Sequence, residues 1–114
     1  MSECIFCKMV EGEIEPDVVM ETDRVLAFRD INPQAPVHIL VVPKEHIATV
    51  NDVADAHGDL MGELHLVARD IAREQGFADD GYRMVMNCQE EAGQSVFHIH
   101  LHLLAGRRFT WPPG

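Results

Sequence analysis

An α+β domain, with a five-stranded, mainly antiparallel sheet carrying one long and one short helix, is the fold class this sequence predicts. Three observations predict it. Short runs rich in β-branched and aromatic residues follow one another across two-residue or short polar connections, which is how antiparallel neighbours are joined. One uninterrupted stripe of apolar residues has the helical period. The chain of 114 residues, 46% hydrophobic and 25% charged, is long enough for one core and too short for two. The whole of 1–114 is therefore read as a single domain.

The elements follow in chain order. Lys8 to Gly12 forms a short helical turn closed by Gly12, and Pro16 separates this arm from the sheet. Asp17–Glu21 and Arg24–Arg29 are two strands of a hairpin, joined at Thr22-Asp23. Ile31 to Pro36 is a loop, because two prolines in four residues cannot continue a ladder. Val37–Val42 is a third strand, stopped by Pro43; its two faces are both largely apolar, so it is central and buried. His38 faces the same side as Leu40 and Val42, and a lone histidine there reads as a hydrogen-bonded core residue. Leu60, Leu64, Val67 and Ile71 mark one stripe of a helix from Asp52 to about Gln75, capped by Asp52 or Asp55 and ended by Gly76. His57 and His65 read as surface or structural residues on it. Asp79-Asp-Gly81 turns into a fourth strand, Tyr82–Cys88, with Cys88 in the core. After the polar loop Glu90–Gln94, Ser95–Leu104 is the fifth strand, paired antiparallel with the fourth so that Asn87 lies near its start. The tail, about 105–114, holds two prolines and no period and is extended; Trp111 in it needs a surface to pack on, and a second subunit is one.

Composition removes several function classes. A net charge of −10 gives no footprint for a nucleic-acid polymer or an anionic membrane. No run of 18 apolar residues is present, so nothing spans a membrane, and Met1-Ser-Glu-Cys4 has neither the basic nor the apolar part of a secretory signal. A cytoplasmic location is the expectation. Three cysteines, two of them only three apart, argue against a disulfide framework; Cys4-Ile-Phe-Cys7 has the spacing of half a zinc site.

The chemistry concentrates in His98-Ile-His-Leu-His-Leu-Leu104. On a strand, His98, His100 and His102 share one face, with Ile99, Leu101 and Leu103 on the other. Three ligands spread over about 13 Å of strand cannot easily converge on one zinc with bonds of about 2 Å. A histidine nucleophile asks for less: one bare ring nitrogen, an acceptor holding the other, and neighbouring donors for the developing charge. Phosphorus is the electrophile that suits imidazole, because a nucleotidyl-imidazole is reactive enough to be hydrolysed afterwards. Gly93-Gln-Ser95 could offer backbone N–H groups and a hydroxyl to phosphate oxygens.

These residues resemble the signature of the histidine-triad (HIT) superfamily, His-x-His-x-His followed by two apolar residues. Phe28-Arg-Asp-Ile-Asn-Pro-Gln-Ala-Pro-Val-His-Ile39, Gly81–Asn87, Gly93-Gln-Ser95 and Trp111-Pro-Pro-Gly114 extend the resemblance over nearly the whole chain, toward the Hint branch of histidine-triad nucleotide-binding proteins. The resemblance implies a homodimer whose two sheets join, and hydrolysis of purine nucleoside phosphoramidates, in which AMP or GMP is joined to an amine by a P–N bond. Its alternatives are a dinucleoside polyphosphate hydrolase and a nucleotide-binding regulator with incidental hydrolysis. It further implies His100 as nucleophile, His102 as donor to the phosphate or leaving group, His98 as the brace of the triad and His38 as a fourth histidine of the site, which reverses the core reading above. By the same resemblance Asp30 accepts from the ribose hydroxyls, Phe6, Phe28 and Ile31 line the purine pocket, and Asn87, Gly93, Gln94 and Ser95 serve the phosphate or departing amine. Trp111 reaches toward the partner's site. No metal is required for the chemistry. Cys4, Cys7 and His46 nevertheless resemble a structural zinc site of some superfamily members, with His98 as the fourth ligand; two reduced thiols and a surface histidine are the other reading.

Overall fold

Alternation sorts the strand side chains onto two sides of one sheet, and each side has its own cover. The computed structural model describes residues 3–114. Its strands are β1 (Val18–Glu21), β2 (Val25–Arg29), β3 (Val37–Pro43), β4 (Arg83–Val85) and β5 (Leu101–Ala105), in the order β1-β2-β3-β5-β4, every pair antiparallel. Helix α1 is Ile5–Val10 and helix α2 is Gly58–Gln75. Val25, Ala27, Ile39, Val41, Leu101 and Leu103 meet the α2 stripe of Leu60, Leu64, Val67 and Ile71 in the larger core. The opposite face carries Leu26, Phe28, Leu40 and Val42 under Phe6 of α1. Burial on both faces explains why β3 reads as a nearly unbroken apolar run. No helix is long and apolar enough to cross a membrane among the described residues.

Several boundaries differ from those the sequence predicts, each for a local reason. Helix α1 starts earlier, because the Cys4 sulfur accepts from the Cys7 amide at the position where an oxygen cap would ordinarily sit. Helix α2 starts later: Thr49 and Asp52 cap each other reciprocally around a 3₁₀ turn at Val50–Asp52, a second turn follows at Asp55–His57, and only then does the α-helix begin. Asp52 thus serves the turn and not the helix. Gly76 ends α2 in the left-handed conformation, as expected. The fourth strand shrinks to three residues, and Cys88 beyond it is only half-buried. The largest change concerns the fifth strand, which is regular only from Leu101; His98 and His100 precede it on irregular backbone. Ile99 N–H donates there to the Ile47 carbonyl outside the ladder.

After Ala105 the chain turns at Gly106, where φ is +93° and an added Cβ would stand 2.7 Å from the Pro36 Cβ. The tail is then tied down by Arg83, which donates to the Thr110 carbonyl, and by Arg107, whose guanidinium lies 4.3 Å from the Phe109 ring centre. Gly106→Ala is expected to lower stability by about 2 kcal/mol, since neither the backbone nor the proline ring can yield cheaply. A urea midpoint unchanged from wild type would contradict this.

Candidate functional site

Strand register builds the site. Val18 lies beside Phe28, Phe28 beside Leu40, Leu40 beside His102 and His102 beside Val85, so one row of side chains crosses all five strands on the α1 side. Along that row runs a cleft of about 720 Å³. Its floor is Phe6, Phe28, Leu40 and Val96; His38, His100, His102, Asp30 and Ser95 line one part, and Ile14, Glu15 and Asp17 another. Ile31, almost wholly exposed at 96%, stands at its mouth. Phe6 meets Phe28, His98 and His100 edge-on at 5.2 to 5.7 Å, which wedges the two imidazoles in place.

Fixed backbone partners determine the proton on each ring. His100 donates through Nδ1–H to the His98 carbonyl at 2.8 Å, leaving Nε2 a bare lone pair. His38 is opposite: its Nδ1 accepts from the Gln34 amide at 3.0 Å, so a neutral His38 carries its proton on Nε2. That proton faces His102 Nδ1 at 2.9 Å, with Asp30 Oδ2 3.5 Å from the same nitrogen. His102 Nδ1 is thereby an acceptor, and its proton sits on Nε2. The two adjacent imidazoles, with ring centres 5.0 Å apart, hence differ: His100 presents a nucleophilic nitrogen and His102 an N–H donor.

Burial favours the neutral form of His38, His98 and His102. His102 is lowered to about 4, first by burial and then by the neighbouring His100 and His38, against an opposing pull from Asp30. His38 is lowered by burial, with Asp30 again opposing. His98 is lowered by burial and by His46 and His100, although its bond to the Pro43 carbonyl works the other way.

Among the described residues, two clusters bring ligand-type atoms within 4.8 Å of one another: Cys4, Cys7, His46 and His98, and Asp30, His38 and His102. The first fits a metal. His98 donates through Nε2–H to the Pro43 carbonyl at 2.7 Å, so its Nδ1 is bare. That Nδ1 lies 3.2 Å from His46 Nδ1, 3.3 Å from Cys4 Sγ and 3.5 Å from Cys7 Sγ, which is itself 3.3 Å from His46 Nδ1. A tetrahedral ion with bonds of about 2.0 Å to nitrogen and 2.3 Å to sulfur requires donor separations of about 3.3 to 3.8 Å. The second cluster does not fit. A cation on His38 Nε2 would drive the ring proton to Nδ1, directly against the Gln34 N–H.

The structure gathers Phe6, Phe28, Asp30, Ile31, His38, Ser95, His100 and His102 around one cleft, and Cys4, Cys7, His46 and His98 beside it. Gln94 stands apart. It is buried, its carbonyl accepts from the Gln89 amide and its NH₂ donates to the Ala48 and Val96 carbonyls, leaving no hydrogen for a phosphate. Gly93 takes φ +88° just before it, and Asn87 lies two residues beyond β4; neither lines the cleft. Trp111 is 83% exposed and away from it. His57, in the 3₁₀ turn before α2, pairs with Glu45, and His65 on the exposed side of α2 pairs with the Met61 carbonyl. Sequence reasoning missed the Gln34 amide, a backbone group with no side-chain signature, and the Ile14–Asp17 wall, which alternation does not mark.

The HIT domain family model matches residues 11–109. A purine nucleoside phosphoramidase of Escherichia coli K12 is 51% identical over 105 residues, 92% of this chain and 88% of that protein. A 14 kDa zinc-binding protein of Zea mays is 47% identical over 115 residues, covering 99% and 89%. The crystal structure of a HIT family hydrolase from Legionella pneumophila superposes with a TM-score of 0.96 at 52% identity, covering 98% of this chain and all of that one.

The lowered histidines make stability depend on pH. Below about 6.5 the unfolded chain binds protons that folded His38 and His102 refuse, so stability is complete above that pH and falls as pH drops toward about 4. Urea titrations across this window should show the decline, and His102→Asn should flatten it. An equal slope in the variant would contradict the assignment.

Proposed function

The chain belongs to the HIT domain family, and within it we propose that this protein is a hydrolase of purine nucleoside phosphoramidates. The observation that carries the proposal is the pair of opposed tautomers: a bare His100 Nε2 and a His102 Nε2–H side by side in one cleft. The name of the E. coli relative supports the substrate class. In the first step His100 Nε2 attacks phosphorus and the P–N bond breaks. His102 donates to a phosphoryl oxygen, and the His98 carbonyl steadies the positive charge on the nucleotidyl imidazole through Nδ1–H. The departing amine needs one proton, for which Ser95 is the hydroxyl lining the cleft. In the second step water attacks phosphorus, returns that proton and frees His100. Asp30 accepts from the ribose, and the purine lies over Phe6 and Phe28 under Ile31. Asn87 and Gly93 stand outside the cleft, and the Gly93 N–H donates to the Glu90 carbonyl at 2.9 Å, so neither has a part in these steps.

Cys4, Cys7, His46 and His98 are the residues that hold a structural zinc in this reading, supported by their donor separations and by the name of the maize relative. Zinc supplies a crosslink between α1, the segment after β3 and the approach to β5, and no step runs through it. A homodimer is the remaining part of the proposal. β4 is a sheet edge only three residues long, with Met84 exposed on it and Trp111 exposed in the tail, and a second copy would cover both. A monomer in sedimentation equilibrium would remove it.

His100→Ala should reduce turnover of a P–N substrate by on the order of a thousandfold or more while mononucleotide binding persists. Turnover near wild type would sink the nucleophile assignment, and faster cleavage of a P–O–P dinucleotide than of the phosphoramidate would favour the polyphosphate alternative. For the metal, the purified protein should carry about one zinc per chain, and Cys7→Ser should lose it together with thermal stability. A protein without zinc whose melting is indifferent to added metal or chelator would contradict the site.

A further inference from the structure

The far end of the cleft is acidic, and it is built from this chain's own sequence at Glu15-Pro-Asp17. Counting strands across the row from His102 on β5 through Leu40 and Phe28 to Val18 on β1 gives three spacings, about 14 Å. Residues 14–17 run directly into Val18 and line the same cleft as the histidines, at its β1 end. With the phosphate at His100 and the ribose at Asp30, as in the proposed function, the base would lie over Phe28 and its outer edge would face this segment. Of the two carboxylates there, Asp17 faces the Arg29 guanidinium at 3.7 Å. Glu15 makes no hydrogen bond or ion pair among the described residues.

We infer that Glu15 reads the outer edge of the base and selects 2-amino-6-oxopurines, so that the preferred substrates are guanosine phosphoramidates. This rests on the proposed function for the orientation of the nucleotide. A carboxylate is an acceptor only. Guanine offers it two parallel donors, N1–H and the 2-amino group, which match its two oxygens in a charge-assisted pair. Adenine offers one amino group beside the N1 lone pair, and that lone pair repels a carboxylate. Hypoxanthine keeps N1–H and lacks the second donor, so it falls between them.

The test is calorimetric binding of GMP, IMP and AMP to the full-length protein, with turnover of the guanosine and adenosine phosphoramidates of one amine measured in parallel. Wild type should bind GMP about tenfold more tightly than AMP, with IMP between, the size of discrimination one two-point base contact confers. Glu15→Ala, and Glu15→Gln, which turns an NH₂ toward guanine's donors, should each bring the GMP-to-AMP ratio to within about twofold of unity. Glu15 is exposed, so neither change threatens the core. Equal binding of GMP and AMP by wild type, or a preference that survives both substitutions, overturns the inference. The expected binding ratios without turnover of either phosphoramidate would overturn the proposed hydrolysis and uphold the base assignment.

Discussion

Gln34 donates its backbone N–H to His38 Nδ1 at 3.0 Å, and the proton positions on His38 and His102 depend on that contact. An imidazole that must accept at one nitrogen must donate at the other while it is neutral. His38 therefore passes its proton toward His102, and His102 keeps its own on the nitrogen facing the cleft. Desolvation reinforces the arrangement, because a buried ring resists the second proton that would erase the distinction. The amide itself is held by geometry elsewhere: it lies in the loop between β2 and β3, whose carbonyl at Gln34 accepts from Arg107 in the tail.

His98 couples the two halves of the site. Its ring gives Nε2–H to the Pro43 carbonyl and turns Nδ1 to the two sulfurs and His46, while its backbone carbonyl orients His100. A group that fixes the position of this one residue thus also fixes the direction of the His100 lone pair. Phe6, from the helix capped by the Cys4 sulfur, presses on both rings. The short N-terminal helix is accordingly part of the site's wall as well as of the cysteine–histidine cluster.

Much of the fold was legible because it rests on periodicity. The α2 stripe, the hairpin and the doubly apolar β3 follow from side-chain alternation and turn chemistry, and these decide which face receives the helix. Element ends were less legible, since a sulfur cap at Cys4 and a reciprocal Thr49–Asp52 pair compete with the usual signals. The alternation of the three histidines pointed to one face, yet His98 and His100 lie before the regular strand. Their placement comes from carbonyls at Pro43 and Ile47, long-range contacts that no local pattern records. The same holds for Gln94, whose polar side chain suggested a ligand contact and instead ties three backbone segments together.

Long-range ¹H–¹⁵N correlation spectra of histidine-labelled protein at neutral pH read the opposed tautomers of His100 and His102 directly. His100 should be protonated on Nδ1 and His102 on Nε2. His102 protonated on Nδ1, or the same tautomer at both positions, would contradict this.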